Sequence, residues 1–269
     1  MNLISFHPFR TIGIPGVTYI KPEHIFREID RIKEADYILF PEKWQLPILV
    51  HGLKKNIFPS YESIVLGHNK IDMTRALQTV CPEHVPYTEI HGNTESKRKE
   101  ILSTFPLPFV LKESRNSMGN GVYFIQTEEE FLQISQGKED LYVQEYLEND
   151  RELRICVVGN QIISSYWKIA ENHQFHHNVS KGANVSFDAV PKVAEEFVLD
   201  VAAQLNINYA GFDILLMEGK PFVLEFNTLF GNQGLRMNNK RVEDYIYEHL
   251  IFEYHHPHPS APLNNRGIS

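Results

Sequence analysis

The sequence is poor in cysteine, with only Cys81 and Cys156 in 269 residues. Two isolated thiols make neither a disulfide framework nor a zinc site, and a reducing, cytoplasmic setting is the expectation. Long apolar runs are missing too. No stretch approaches the roughly 18 residues that a membrane-spanning helix needs. The opening residues, MNLISFHPFR, lack a basic region followed by an apolar one, so no secretory leader is expected. There is no surplus of positive charge. Lysine and arginine number 26 against 34 aspartates and glutamates, a net charge of −8. That balance argues against nucleic-acid and anionic-membrane partners, yet leaves room for one local basic groove. No internal repeat is visible.

What remains is ordinary for a globular chain, with 42% hydrophobic and 22% charged residues. The pattern predicts a strand over residues 2–6, a helix over 22–35, and strands over 36–40 and 62–66. This opening third reads as a small α/β unit of about 67 residues. A helix is expected from Asn69 to Val80, ended by Cys81-Pro82. Phe109 to Lys112 reads as a strand, Ser117 to Gly121 as a glycine-containing loop, and Val122 to Ile125 as a return strand. Thr127-Glu128-Glu129-Glu130 is a capping box that opens a helix. Tyr142 to Tyr146 is a strand. Leu153–Val158 and Gln161–Ile169 pair around Gly159-Asn160. Pro191 starts an amphipathic helix carrying Ala194, Phe197, Val198, Val201 and Leu205. A last helix is expected around 240–253, before a Pro- and His-rich tail, 254–269, expected to be disordered.

The segment GFDILLMEGKPFVLEFN, 211–227, is an apolar hairpin broken by Asp213, Glu225 and Asn227. With the turn centred on Gly219, Asp213 and Glu225 stand opposite each other and Asn227 shares their face. Like charges that close call for a counter-cation, and an all-oxygen set suits magnesium. The same pattern would also fit a half-exposed hairpin with its charges in solvent. Lys112 ends an apolar strand just before Gly119 and Gly121, which would let backbone amides approach an anion. The loop is neither a Walker loop nor a dinucleotide fingerprint, and taken alone it reads better as a plain surface hairpin with a flexible turn. Arg154 alternates with Leu153 and Ile155 and so faces away from them. Lys168, His176, Asn178 and Lys181 add donors beyond it.

Taken in order, LPFVLKESRNSMGNGV, VQEYLENDRELRICVVG and DILLMEGKPFVLEFN resemble the ATP-grasp superfamily, and most of all its RimK-like carboxylate–amine ligases. The resemblance covers roughly residues 68–236. It implies an α+β ATP-grasp fold, two α+β subdomains gripping ATP, preceded by a small α/β domain. The implied division is 1–67 for the leading domain and 68–253 for the ATP-grasp part. Within the latter, 68–147 would be the central and lid portion and 148–253 the metal-binding portion. The resemblance further implies that Lys112 binds ATP phosphates, that Lys70 matches the lysine of the family's opening Asp-Lys pair and contacts ATP, though here it follows asparagine, and that Ser117, Gly119 and Gly121 belong to the loop closing over the phosphates. Glu145, Tyr146 and Leu147 would receive adenine through backbone groups. Arg154 would stabilise the transferring phosphoryl group. Asn178 and Lys181 would face the phosphates. Asp213, Glu225 and Asn227 would hold magnesium, usually two ions, with manganese as a substitute.

The implied activity is an ATP-dependent ligase joining a carboxylate to an amine through an acyl phosphate, with ATP, a carboxylate and an amine (small molecule, peptide or protein tail) as partners. A homo-oligomer is common in the family. A kinase of the same fold and a non-catalytic nucleotide-binding protein are the alternatives. The sequence departs from the family where arginine is usual, at His176, Lys168 and Lys181. It departs again after the metal ligands, where Asn227-Thr228-Leu229-Phe230-Gly231 lacks the family's proline. His7, Arg10 and Thr11 could line the substrate side or be ordinary loop residues.

Overall fold

A computed structural model describes residues 1–114, 121–169, 184–231, 233–238 and 240–256. The chain opens with β1 (Leu3–Ser5), α1 (Pro8–Thr11), β2 (Val17–Tyr19), α2 (Ile29–Glu34), β3 (Tyr37–Leu39), β4 (Asn56–Phe58) and α3 (Tyr61–Leu66). The four strands form a parallel sheet in the order β2-β1-β3-β4. Alternation decides its two faces. Ile4 and Ile38 join Ile20, Ile25 and Ile32 on one side, while Leu3, Leu39 and Phe58 face the rest of the molecule.

Next come α4 (Lys70–Val80), β5 (Thr88–Gly92), α5 (Glu95–Thr104), β6 (Phe109–Lys112), β7 (Val122–Ile125), α6 (Glu128–Ser135) and β8 (Asp140–Glu145). The strands make an antiparallel sheet, β5-β8-β6-β7, whose apolar face is covered by Ile101 and Phe105 from the α5 region and Phe131 from α6. The third group is β9 (Arg151–Val158), β10 (Gln161–Ile169), β11 (Asn184–Ser186), α7 (Lys192–Gln204), β12 (Tyr209–Met217), β13 (Lys220–Asn227), α8 (Gln233–Met237) and α9 (Val242–His255). Its strands form an antiparallel sheet, β11-β10-β9-β12-β13. One face packs on α4 and α7 through Leu153, Ile155, Phe212, Ile214 and Phe226. The other face is apolar at one end, where Cys156, Val158 and Tyr209 meet α9 and the first sheet, and charged at the other. No helix among the described residues is long and apolar enough to cross a membrane.

Several expectations need correction. Residues 62–66 are not a strand but lie in α3. The Ser60 hydroxyl accepts from the Ser63 N–H at 3.1 Å and caps the helix, which outweighs the β-branched Ile64-Val65 pair. The strand lies just earlier, in β4. The helix expected over 22–35 is broken into a tight turn at Pro22–His24 and α2, because Ile25 bonds back only three residues, to Pro22. The final helix reaches His255, into the segment expected to be tail. The capping box is present as expected, with Glu130 N–H donating to Thr127 Oγ1 at 3.2 Å.

Candidate active site

Three adjacent strands carry the charged row. Arg154 of β9 stands opposite Asp213 of β12, and Asp213 opposite Glu225 of β13. The last pairing needs a device that symmetry about Gly219 does not supply. The turn is the two residues Glu218-Gly219, both at positive φ (52° and 83°), so Met217 faces Lys220 and Ile214 faces Val223. Leu224 is then an unpaired extra residue. This bulge restores the offset and sets Glu225 across from Asp213. A second bulge, at Ile163, acts on β10. It sets Lys168 across from Glu152 and Tyr166 across from Arg154. Without it, Trp167 would face Glu152 and Lys168 would point to the core side.

The row is fully engaged. Arg154 donates from Nε and Nη2 to the two oxygens of Asp213 at 2.7 and 2.8 Å. Lys168 donates to Asp213 Oδ1 at 2.7 Å and pairs with Glu152. Burial works against the charge on Arg154, but Asp213 more than offsets it and raises its pKa. Gly211 is required beside this pair. A Cβ there would lie 2.9 Å from Arg154 Nη1 and 3.0 Å from Phe230 Cβ.

Two more cations close the site from the second sheet's side. Lys70, the first residue of α4, pairs with Glu225. Its own N–H is anchored on the Ser114 carbonyl at 3.0 Å. Lys112 is buried at the end of β6, 5.6 Å from the Tyr142 ring centre. Burial and the neighbouring Lys70 push its ammonium down to about 8, against the pull of Glu225 and Asp213. Burial alone would raise Glu225, but Lys70 and Lys112, with hydrogen bonds from Lys70 and Asn227, hold it down at about 2. Asn227 donates to Glu225 Oε1 at 3.0 Å. Thus four cations, Lys70, Lys112, Arg154 and Lys168, surround three carboxylates, Glu152, Asp213 and Glu225. The excess positive charge suits an anion.

The structure brings together Lys70, Lys112, Arg154, Asp213, Glu225 and Asn227 from the residues singled out in the sequence. Ser117, Gly119, His176, Asn178 and Lys181 lie outside the described residues. Gly121 has φ 71° and its carbonyl accepts from Glu113 N–H at 2.7 Å, which closes the base of the loop. Glu145 ends β8, three residues beyond Tyr142, the partner of Lys112, or roughly 10 Å along the strand. Its N–H donates to the Tyr87 carbonyl at 2.8 Å, and its carboxylate accepts from Tyr87 N–H at 2.6 Å. Tyr146 packs edge-on against Phe124, and the Leu147 carbonyl accepts from Asn149. Two backbone groups of this segment are therefore engaged within the protein. Thr11 is structural, bonded to Ser5 Oγ and the His7 carbonyl at 3.1 Å each.

Glu152, Lys168 and Gly211 complete the constellation. Lys168 was visible only as one donor in a polar stretch. The signal that would have found it, an acid and a base paired across the 159–160 turn, is masked by the Ile163 bulge.

Asp213, Glu225 and Asn227 offer two ionised carboxylates and an amide oxygen, a donor set that fits a hard divalent cation. Among the described residues no group of three or more His, Cys, Asp or Glu side chains could hold a metal unaided.

Comparison with known proteins bears on the family and the fold. Residues 68–250 match the family model of the RimK-like ATP-grasp domain. The chain is 26% identical over 198 residues to a protein named probable alpha-L-glutamate ligase from Vibrio vulnificus strain YJ016, covering 70% of this chain and 65% of that protein. A protein of the same name from Stutzerimonas stutzeri strain A1501 is 27% identical over 205 residues, 73% of this chain and 68% of that one. The chain thus matches slightly under two thirds of the Vibrio protein's length. In fold it is similar to the D-alanine–D-alanine ligase of Bacillus anthracis complexed with ATP, with TM-score 0.70, 14% identity, and 95% and 100% of the two chains covered. It is also similar to a RimK domain ATP-grasp protein of Sphaerobacter thermophilus, with TM-score 0.65, 12% identity, and 93% and 99% covered. The expected ATP-grasp fold is borne out.

Proposed function

We propose that this chain, which belongs to the RimK-like ATP-grasp family, is an ATP- and magnesium-dependent ligase that joins a carboxylate to an amine. The observation that carries the reading is the row Arg154–Asp213–Glu225 flanked by Lys70, Lys112 and Lys168. Phosphoryl transfer asks a protein mainly for positioning and charge stabilisation, and a preorganised cluster with one positive charge in excess supplies both. Lys112 and Lys70 would take the phosphates, and an incoming polyphosphate would draw Lys70 away from Glu225. Arg154, kept charged and held in plane by Asp213, would face the oxygens on which charge gathers as the phosphoryl group moves to the substrate carboxylate. The amine then displaces phosphate from the acyl phosphate. Glu145–Leu147, about 10 Å from Lys112, would lie at the adenine end.

Asp213, Glu225 and Asn227 would hold magnesium, which when bound neutralises charge on phosphate oxygens. We read 1–67 as the leading α/β domain and 68–253 as the ATP-grasp part, consistent with one parallel sheet followed by two antiparallel ones. The two buried free thiols support a reducing, cytoplasmic setting.

The test is a screen of amino acids and small carboxylates for ADP release with ATP and magnesium. The name of the curated relatives places L-glutamate first in it. ADP and free phosphate should form in equal amounts, only when carboxylate and amine are both present, and Glu225→Gln should abolish the reaction while the fold persists. Phosphate left on the acceptor, or normal turnover by that variant, would sink the reading.

A further inference from the structure

A cavity of about 680 Å³ shares no residue with the charged row. It lies where β4 of the first sheet meets the Gly159-Asn160 turn, α7, the approach to β12, and α9. Its size is that of a small-molecule pocket. Its walls are fixed by bonds between parts of the chain far apart in sequence. Ser60 N–H donates to Asn208 Oδ1 at 2.7 Å, and the Ser60 hydroxyl donates to the Asn206 carbonyl at 2.7 Å. Gly159 N–H donates to the Asn208 carbonyl at 2.8 Å. α7 ends in a left-handed Asn206 (φ 53°), with Ile207 N–H returning to the Ala202 carbonyl at 2.7 Å, so the helix stops sharply at the cavity edge.

The lining has two parts. Phe58, Ile207 and Leu250 are buried and make an apolar floor. His249 completes it, with its ring 5.7 Å from that of Phe58. Gly159 makes room for this ring, since a Cβ there would stand 2.5 Å from His249 Nδ1. Burial holds the imidazole at about 4, so it is uncharged at neutral pH. Toward solvent stand the half-buried Tyr37, the exposed Phe252, and two acids, the half-buried Glu253 and the exposed Asp200. Asp200 accepts from Gln204 Nε2 at 2.7 Å. Neither acid forms an ion pair among the described residues. The lining holds no lysine or arginine.

We propose that this cavity is a second binding site, for a small arylalkylamine whose ring enters the floor and whose ammonium stays at the mouth. Charge complementarity selects the cation, because two unpaired carboxylates face it and no basic side chain competes. A nucleotide or an organic acid would meet those carboxylates with no counter-charge. The floor selects a ring, which Phe58 and His249 can receive edge-on or offset. Tyr37 and Phe252 add aromatic faces where an ammonium is welcome. A ligand held there would touch β4, α7 and α9 at once and so bind the first sheet to the third group of elements.

The experiment is calorimetric titration of the full chain with 2-phenylethylamine, with its acid counterpart 3-phenylpropionate, and with butylamine, which keeps the ammonium and lacks the ring. The aryl amine is expected to bind roughly tenfold more tightly than either. Asp200→Asn combined with Glu253→Gln should remove its advantage over the acid. Ala203→Trp, which fills the cavity from an exposed position on α7, should abolish binding. ADP affinity should be unchanged in both variants. No binding, equal affinity for the acid or for butylamine, or a preference that survives the double variant overturns the proposal. Undiminished binding by a folded Ala203→Trp protein also overturns it, and assigns the amine to the charged row. ATP turnover plays no part in the measurement, so this proposal and the ligase reading stand or fall separately.

Discussion

Arg154 grips Asp213 with two parallel bonds, 2.7 and 2.8 Å long, from neighbouring strands of one sheet. The fork fixes the plane of the guanidinium as well as its charge, and a lysine would keep only the charge. Arg154→Lys is therefore expected to lower kcat by about 10- to 100-fold with KM for ATP moved only a few-fold, the pattern of an interaction made mainly in the transition state. Steady-state kinetics with a proven acceptor decide it. A rise in KM matching the loss in kcat would assign Arg154 to ground-state binding instead.

Lys70 occupies Glu225 in the structure, so metal and lysine compete for one carboxylate. Lys70→Met should raise the affinity of the protein alone for manganese, used as a spectroscopic stand-in, several-fold. ADP affinity should fall, since a phosphate partner is lost. Titration followed by electron paramagnetic resonance reads the first, and calorimetry the second. Unchanged manganese affinity would show that Glu225 is not the ligand.

How far was this site legible in the sequence? The alternation of Leu153, Arg154 and Ile155 correctly sends Arg154 away from the core, and the same period puts Asp213 and Glu225 on one face. Symmetry about Gly219 reached the right partner by the wrong ladder, because the Leu224 bulge supplies the residue that a two-residue turn omits. Bulges leave little trace in the apolar pattern, which is why the pairing of Lys168 with Glu152 stayed hidden behind Ile163. The α3 error has another cause. Ile64-Val65 favours a strand locally, whereas the Ser60 side chain that caps the helix through Ser63 is also fixed by a tertiary bond to the Asn206 carbonyl. Four short parallel strands of three residues each carry too few alternations to be read reliably, and β2 and β4 were missed for that reason.

His249 adds an acid sensitivity unrelated to the site. It borders a cavity of about 680 Å³ between β4, the β9–β10 turn, α7 and α9, 5.7 Å from the Phe58 ring centre. Burial lowers it from 6.5 to about 4, so the unfolded chain binds this proton more readily than the native one. Stability should accordingly fall as pH drops from 6.5 toward 4, by up to about 3 kcal/mol from this group. His249→Gln should flatten that portion of the curve. Denaturant midpoints of the two proteins between pH 7 and 4 make the comparison, and parallel curves would rule the residue out.

Lys112 titrates where enzymes are assayed. Its pKa near 8 comes from burial and from Lys70, so in the empty site the ammonium loses its proton as pH rises through that value. Phosphate contact requires the charged form. Affinity for ADP without metal should thus be highest below pH 8 and decline above it, while a bound phosphate raises the lysine and shifts the midpoint upward. Arg is charged throughout, so Lys112→Arg should bind ADP with a flat profile between pH 7 and 9.5, whatever its absolute affinity. Calorimetry at half-unit intervals measures both, and a wild-type profile as flat as that of the variant would remove Lys112 from the phosphate site.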